Sequence, residues 1–243
     1  WIRARDTLTD EDRSTIRTSV KGLQQRPVFS ILMPVYNTHI PWLQEAIDSV
    51  RSQLYPDWEL CIVNDASTAE AIAPLLDQMA ADDKRIKILH REVNGGIVSA
   101  SKDALVMATG AWIVSVDHDD CLAEQALYHV ARAINPHPGA AILYSDHDQL
   151  TNDGCRYNPY FKPDWNYELA LGQNYVSHLS AYRSADVRGV GGFREGFDGS
   201  QDWDLLLRLI ERIPPEKIIH IHRVLYHWRI TASNSLQVNG GRA

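Results

Sequence analysis

Apolar and polar positions follow two rhythms along this chain, and the rhythms exchange repeatedly. Short apolar runs stand at VFSILMPV (28–35), WELCIVN (58–64), RIKILH (85–90), AWIVSV (111–116) and AAILY (140–144). They are rich in β-branched and aromatic residues and predict strands, several of them buried on both faces. Between them apolar residues recur every three or four positions. Leu43, Ala46, Ile47, Val50 and Leu54 trace one helical stripe, with Asn37 or Thr38 as its cap and Pro41 in its first turn. Further helices are predicted near 70–79, from Asn94-Gly95-Gly96 to 108, and over 122–133. Strands alternating with helices in this way predict right-handed βαβ units, a mostly parallel sheet and the α/β class.

Beyond Asp146 the alternation breaks. Residues 147–176 are turn-rich and aromatic, and a strand at 177–183 leads into a Gly-rich loop at 189–200. A helix is predicted from 201 to 212, burying Leu205, Leu206, Leu209 and Ile213, before a last alternating run at 218–230. His220 and His222 share one face of that run and are read as a strand face. Residues 1–26 are charged, poor in large apolar residues, and read as a helical lead-in or linker.

Composition narrows the class. A net charge of −7 over 243 residues argues against a nucleic-acid surface, which would be basic. Cys61, Cys121 and Cys155 form an odd set without zinc-binding spacing, which points to a reduced, cytoplasmic setting. No apolar run approaches the ~20 residues that span a bilayer. The chain opens on Trp1 rather than Met and is read as a piece of something longer.

The candidate chemistry begins where the fourth strand stops. Asp117, His118, Asp119 and Asp120 cannot continue inside a buried sheet, so they fall at its C-terminal edge, where open α/β sheets bind ligands. Asp117 and Asp119 could both face one cleft and offer hard oxygen donors to Mg²⁺ or Mn²⁺; a solvated acidic turn capping the next helix fits the same residues. His118, between them, is expected to point away. Neither MPVYNTH nor VNDAST carries a G-x-G-x-x-G or a P-loop pattern. Asn94-Gly95-Gly96 could hold a phosphate, but a helix-opening turn is favoured.

These residues belong to an ordered set. Pro34-Val35-Tyr36-Asn37 follows strand one, Asp65 ends strand two, Asn94-x-Gly96 opens the third helix and Asp117–Asp120 end strand four. Gly191-Gly192-Phe193, then Gly199-Ser200-Gln201-Asp202-Trp203-Asp204, then Leu225-Tyr226-His227-Trp228-Arg229 complete it. In order and spacing the set resembles the family 2 glycosyltransferases of the GT-A fold, within the bacterial branch that builds surface polysaccharides such as O-antigens. It spans residues 27–235.

The resemblance implies a Rossmann-like, mostly parallel central sheet flanked by helices, with an irregular C-terminal acceptor half. Residues 27–120 would bind the nucleotide sugar and 121–243 the acceptor. It implies an inverting transfer from a nucleotide diphosphate sugar (UDP-hexose, UDP-HexNAc or dTDP-rhamnose) to a hydroxyl of an oligosaccharide or lipid-linked glycan, with Mg²⁺ or Mn²⁺ as cofactor. Pro34, Tyr36 and Asn37 would line the nucleoside pocket, with Asn94 and Gly96 nearby. Asp65 would accept from the base, and Asp117 would face the ribose or lie near the metal. Asp119 and His227 would ligate the metal, and Arg229 would pair with phosphate. Asp202 would be the general base, beside Gln201 where the family usually has an acid. Asp146, Gly192 and Trp203 would meet acceptor or donor sugar. The branch also implies one module of a larger chain or membrane-associated assembly, at most peripheral at the inner membrane face. A nucleotidyltransferase would need a Gly-rich basic loop after strand one, which is missing. A non-catalytic carbohydrate-binding or scaffolding module is the remaining alternative.

Overall fold

The computed structural model describes residue 2 and residues 6–230. Residues 1 and 3–5 of the expected lead-in, and 231–243 of the expected acceptor half, lie outside them.

The lead-in is a helix, α1 (Asp10–Lys21), started by a reciprocal capping box between Thr9 and Asp12. It is docked rather than loose. Ile16 and Val20 are buried in the core, and Arg13 forks onto Glu124 at 2.7–3.0 Å.

Four strands then alternate with helices as predicted: β1 (Phe29–Val35), α2 (Ile40–Arg51), β2 (Trp58–Asn64), α3 (Ile72–Asp82), β3 (Ile86–His90), α4 (Gly96–Met107) and β4 (Trp112–Ser115). β3, β2, β1 and β4 lie side by side in that order, all parallel. Their side chains alternate between two cores, because successive residues of a strand face opposite sides. Phe29, Ile31, Met33 and Val35 pack with Leu43, Ile47 and Val50 of α2 on one side; Leu32, Cys61, Val63 and Ile113 pack with Val98 and Leu105 of α4 on the other.

The second half departs from simple alternation. A two-residue strand, β5 (Cys121–Leu122), takes the first residue predicted as helix, and the helix begins later as α5 (Ala126–Ile134). The predicted strand at 140–144 starts at Ile142 and runs on to Leu150 as β6. The aromatic stretch contributes an unforeseen strand, β7 (Arg156–Tyr160), antiparallel to the outer end of β6. After α6 (Tyr167–Gly172) come β8 (Ser180–Arg183), α7 (Ser184–Gly189), α8 (Gln201–Ile210) and β9 (Ile218–Arg229). β8 lies antiparallel between β4 and β6, while β9 is parallel to β6 and antiparallel to β5. The parallel half therefore ends at β4, and β8 joins it to a mixed half. No helix of the described residues is long and apolar enough to cross a membrane.

At the end of the sheet away from the β1–β4 carboxyl termini, Glu59 is a buried fastening. Its carboxylate accepts from Ser30 Oγ at 2.6 Å, the Thr109 N–H at 2.5 Å and Lys87 Nζ at 2.6 Å. Burial would raise this carboxyl, but Lys87, Ser30 and Thr109 outweigh it and hold it at about 2. Its contribution to stability is then complete above the unfolded carboxyl range (~4.3) and fades as pH falls toward 2. Glu59→Gln should destabilise the fold by about 2–4 kcal/mol at neutral pH and flatten the acid limb of a stability-versus-pH curve measured by urea unfolding.

Candidate active site

Because β1, β2 and β4 are parallel, their carboxyl ends meet at one edge of the sheet. A cavity of about 1060 Å³ opens there. Pro34 and Val35 line it from the end of β1, Tyr36 and Asp65 from just past β1 and β2, and Asp117, His118 and Asp119 from the turn after β4. Asn94, Gly96 and Ile97 enter from the start of α4, and Gln201 and Asp202 from the start of α8. The sequence-predicted Pro34, Tyr36, Asp65, Asn94, Gly96, Asp117, Asp119 and Asp202 are thus brought together.

Asp65 is almost fully buried and already engaged. It accepts from Arg91 Nη1 at 2.5 Å, the Gly95 N–H at 3.0 Å and the Gly96 N–H at 2.9 Å. A carboxylate offers about four acceptor positions, so about one remains for a ligand. Those two amides are spent on Asp65, which makes the 94–96 segment a helix-opening turn rather than a phosphate cradle. Gly96 is required there: its φ is +82°, and a Cβ would stand 2.7 Å from Asp198 Oδ1.

The turn after β4 separates its acids. Asp120 is buried, accepting from Tyr226 Oη at 2.6 Å and the Arg229 N–H at 2.7 Å. Burial, with Asp117 and Asp119 beside it, pushes its carboxyl well above the usual range. Asp117 and Asp119 keep cavity-facing carboxylates. His178 Nε2 lies 3.4 Å from Asp117 Oδ2. Burial disfavours charge on that imidazole, yet Asp117 and Asp202 outweigh it and raise it to about 9. His118 does not point away as expected: it lines the cavity, with Nδ1 3.4 Å from Asp119 Oδ1.

Across the cavity Asp202 is held by its own helix and by a loop. Oδ1 accepts the Trp203 N–H at 2.8 Å, and Oδ2 accepts from Asn174 Nδ2 at 2.7 Å. Its helix neighbour Asp204 is buried between Arg194 and Arg208 and is structural.

Six expected site residues lie off the cavity wall. Asn37 bridges two loops, its Oδ1 accepting from the Thr68 and Ala69 N–H groups at 2.9 and 3.1 Å. His227 is on the opposite face of β9 from Tyr226 and Trp228, which do line the cavity; its Nδ1 meets buried Asp148 at 2.6 Å. Arg229 is fully buried, donating to the Asp119 and Thr151 carbonyls at 2.7 and 3.0 Å and to Glu45 at 2.5 Å. Asp146 is buried on the Lys162 N–H and His220, each at 2.9 Å. Gly192, at φ +69°, packs so close that a Cβ would meet Leu105 Cδ2 at 2.8 Å. Trp203 donates to the Ala170 carbonyl at 2.9 Å and packs in the core. Lys162 is buried and donates to the Val176 and His178 carbonyls, both at 2.7 Å.

Residues that the sequence did not single out complete the wall: His147, Tyr160, Gln173, Asn174, Tyr175 and His178. The dense aromatics of 147–176 were the available signal, and the alternation Tyr226-His227-Trp228 shows that either parity of β9 could have faced the ligand.

A divalent cation fits this wall. Among the described residues lining the cavity stand four aspartates and neither Lys nor Arg. A phosphate-bearing ligand there would need its charge met by an ion held on hard oxygens, which Asp119 and Asp117 present.

Comparison with known proteins agrees with this geometry. The model of Glycosyl transferase family 2 matches residues 30–189. The chain is 38% identical over 241 residues to the O-antigen biosynthesis protein RfbC of Myxococcus xanthus, covering 99% of this chain and 18% of that protein. It therefore spans under a fifth of that relative. The S. aureus TarS 1–349 structure in complex with UDP-GlcNAc superposes with a TM-score of 0.69 at 21% identity, over 84% of this chain and 58% of that one. A mannosyltransferase from Pyrobaculum calidifontis, solved with GDP-Man and Mn²⁺, gives 0.65 at 18% identity, over 90% and 65%. The sheet order, the cavity at its carboxyl edge and these matches place the chain, with its GT-A fold, in glycosyltransferase family 2.

Proposed function

We propose that the domain is an inverting, metal-dependent glycosyltransferase. It moves a sugar from a nucleotide diphosphate sugar to a hydroxyl of a growing bacterial surface polysaccharide. The observation that carries this reading is one cavity in which Asp65, Asp117, Asp119 and Asp202 converge without a lysine or arginine among the described lining residues. The relationship to an O-antigen biosynthesis protein supports the polysaccharide context. The ligands named for the two solved structures, UDP-GlcNAc and GDP-Man with Mn²⁺, support the donor class and the ion.

In this reading Tyr36 and Pro34 bound the nucleoside, and Asp65 accepts from the base while fixing the 94–96 turn. Asp119, with Asp117 adjacent, holds Mg²⁺ or Mn²⁺. Held there, such an ion would neutralise the charge of the diphosphate leaving group. Asp202 takes the proton of the acceptor hydroxyl as the new glycosidic bond forms. Its separate origin, at the start of α8 rather than the turn after β4, suits inversion, in which base and leaving group occupy opposite faces of the sugar. Asn174 keeps the Oδ2 atom of Asp202 aimed. Tyr160, Tyr175 and Trp228 supply aromatic faces for sugar C–H groups.

Asp119→Ala should abolish metal-dependent donor binding across a panel of UDP-, dTDP- and GDP-sugars followed by calorimetry. Asp202→Asn should keep that binding but lower kcat, read as slow donor hydrolysis or transfer, by about 10²–10⁴-fold. Chelation with EDTA should silence the wild type, and Mn²⁺ or Mg²⁺ should restore it. If no nucleotide sugar binds with metal at millimolar concentration, the transferase reading fails and a non-catalytic carbohydrate-binding module takes its place.

A further inference from the structure

On the far side of the cavity wall, three potential metal ligands meet. Asp164, His220 and His222 offer one ligand atom each, all within 4.8 Å of one another. Asp164 Oδ1 lies 3.0 Å from His220 Nδ1 and 2.9 Å from His222 Nε2. By parity alone the two histidines read as a strand face; Asp164 is remote in the chain and comes beside them only through the fold.

The local backbone explains the convergence. His220 and His222 are two apart on β9, so both side chains leave the same face. The pairing of β6 with β9 slips here: Ser145 faces Ile221, but Asp146 faces Val224. His222 and Arg223 are therefore extra residues in β9, a bulge that re-aims side chains locally. The 162–164 segment is brought alongside by the Tyr144 hydroxyl, which donates to the Pro163 carbonyl at 2.7 Å.

His220 is held by stacking and by a buried acid. Its ring stacks on Tyr144 with centroids 4.7 Å apart and planes 6° from parallel. Its Nε2 stands 2.9 Å from Oδ1 of Asp146, which is buried and also accepts the Lys162 N–H. In the tautomer that donates Nε2–H to Asp146, the Nδ1 lone pair faces Asp164 Oδ1 at 3.0 Å and is free to bind a cation placed between them. This is the arrangement in which a carboxylate fixes the tautomer of a metal-bound histidine. Asp164 and His222 have side chains 75% and 69% exposed, so an ion can enter from solvent.

We propose that Asp164, His220 and His222 form a second metal site, for a borderline divalent transition ion of the Zn²⁺ class, with Asp146 orienting His220. Two imidazoles and one carboxylate suit such ions and do not suit Mg²⁺, which prefers oxygen alone. In a tetrahedral site with bonds near 2.0 Å the ligand atoms stand about 3.3 Å apart, a small opening from the 3.0 and 2.9 Å that separate Asp164 Oδ1 from the two histidines. The ion cross-links β9 to the 162–164 segment. Lys162 of that segment holds the Val176 and His178 carbonyls, and Tyr144 meets the cavity-lining Tyr175 edge to face at 5.9 Å. The site is therefore a staple behind the acceptor side of the cavity, independent of the ion at Asp119.

Zn²⁺ titration of untagged, chelator-treated protein in excess Mg²⁺, by calorimetry, tests it. Wild type should bind one equivalent that Mg²⁺ does not displace, and Co²⁺ should give visible d–d absorption. His222→Ala, at an exposed position, should weaken binding at least tenfold, and Asp146→Asn about 10–100-fold. Asp119→Asn should leave this equivalent unchanged. The proposal is overturned if no Mg²⁺-resistant equivalent binds, if His222→Ala binds as tightly as wild type, or if the equivalent is lost in Asp119→Asn. Because the readout is ion binding, failure here is separate from failure of the transferase reading.

Discussion

The candidate site depends on a buried knot around Asp120. Three acids and a histidine follow β4 without a break, and left alone they would repel one another into solvent. Asp120 instead turns inward to the Tyr226 hydroxyl and the Arg229 N–H, while the Arg229 guanidinium grips the Asp119 carbonyl. Tyr226 also accepts the Asp117 N–H, at 3.2 Å. The last strand thus pins both ends of the acidic turn, and Asp117 and Asp119 are left facing the cavity. Removing one member of such a network strands a buried polar partner, which costs more than the lost bond alone. Arg229 serves the site from beneath, as a scaffold for the acids rather than as a phosphate ligand.

The electrostatics of the cavity follow from this anchoring. The basic groups near the acids are engaged elsewhere: Arg91 on Asp65, Arg229 in the knot, Lys162 on two carbonyls. Histidines supply the positive character that remains, above all His178 beside Asp117. In the proposed reading, a wall of this kind gains affinity for a diphosphate when a divalent ion is present, which would couple donor binding to metal. Asp202 is held by Asn174 and its own helix, and its charge also reaches His178.

The wall contributed by the second half of the chain is built differently from the edge formed by the parallel strands. Parallel strands deliver Pro34, Asp65, Asp117 and Asp119 directly at or just past their ends. The opposite wall is assembled from loops held by buried polar groups, with Lys162 tying down 176–178 and the tyrosines Tyr144 and Tyr175 packed edge to face. Its shape is set by these few contacts, so substrate selectivity can vary while the sheet stays constant.

The chain's own periodicity determined the first half of the fold. Uninterrupted apolar runs separated by amphipathic stripes leave one economical solution, a parallel sheet covered on both faces, and that places Pro34, Tyr36, Asp65, Asp117 and Asp119 at one edge. Asp202 was legible as part of an ordered motif. Tertiary structure decided the rest. Whether Tyr226 and Trp228 or His227 face the ligand depends on which face of β9 meets the cavity, and a strand pattern with polar residues on both parities does not say. Arg229, Asp146 and Trp203 are polar or amphipathic residues whose partners lie far away in sequence, so only the assembled core reveals that their bonding capacity is already used. The same long-range closure brings Asp164 to His220 and His222. Local spacing fixes where a side chain can point, and the fold alone fixes what it meets there.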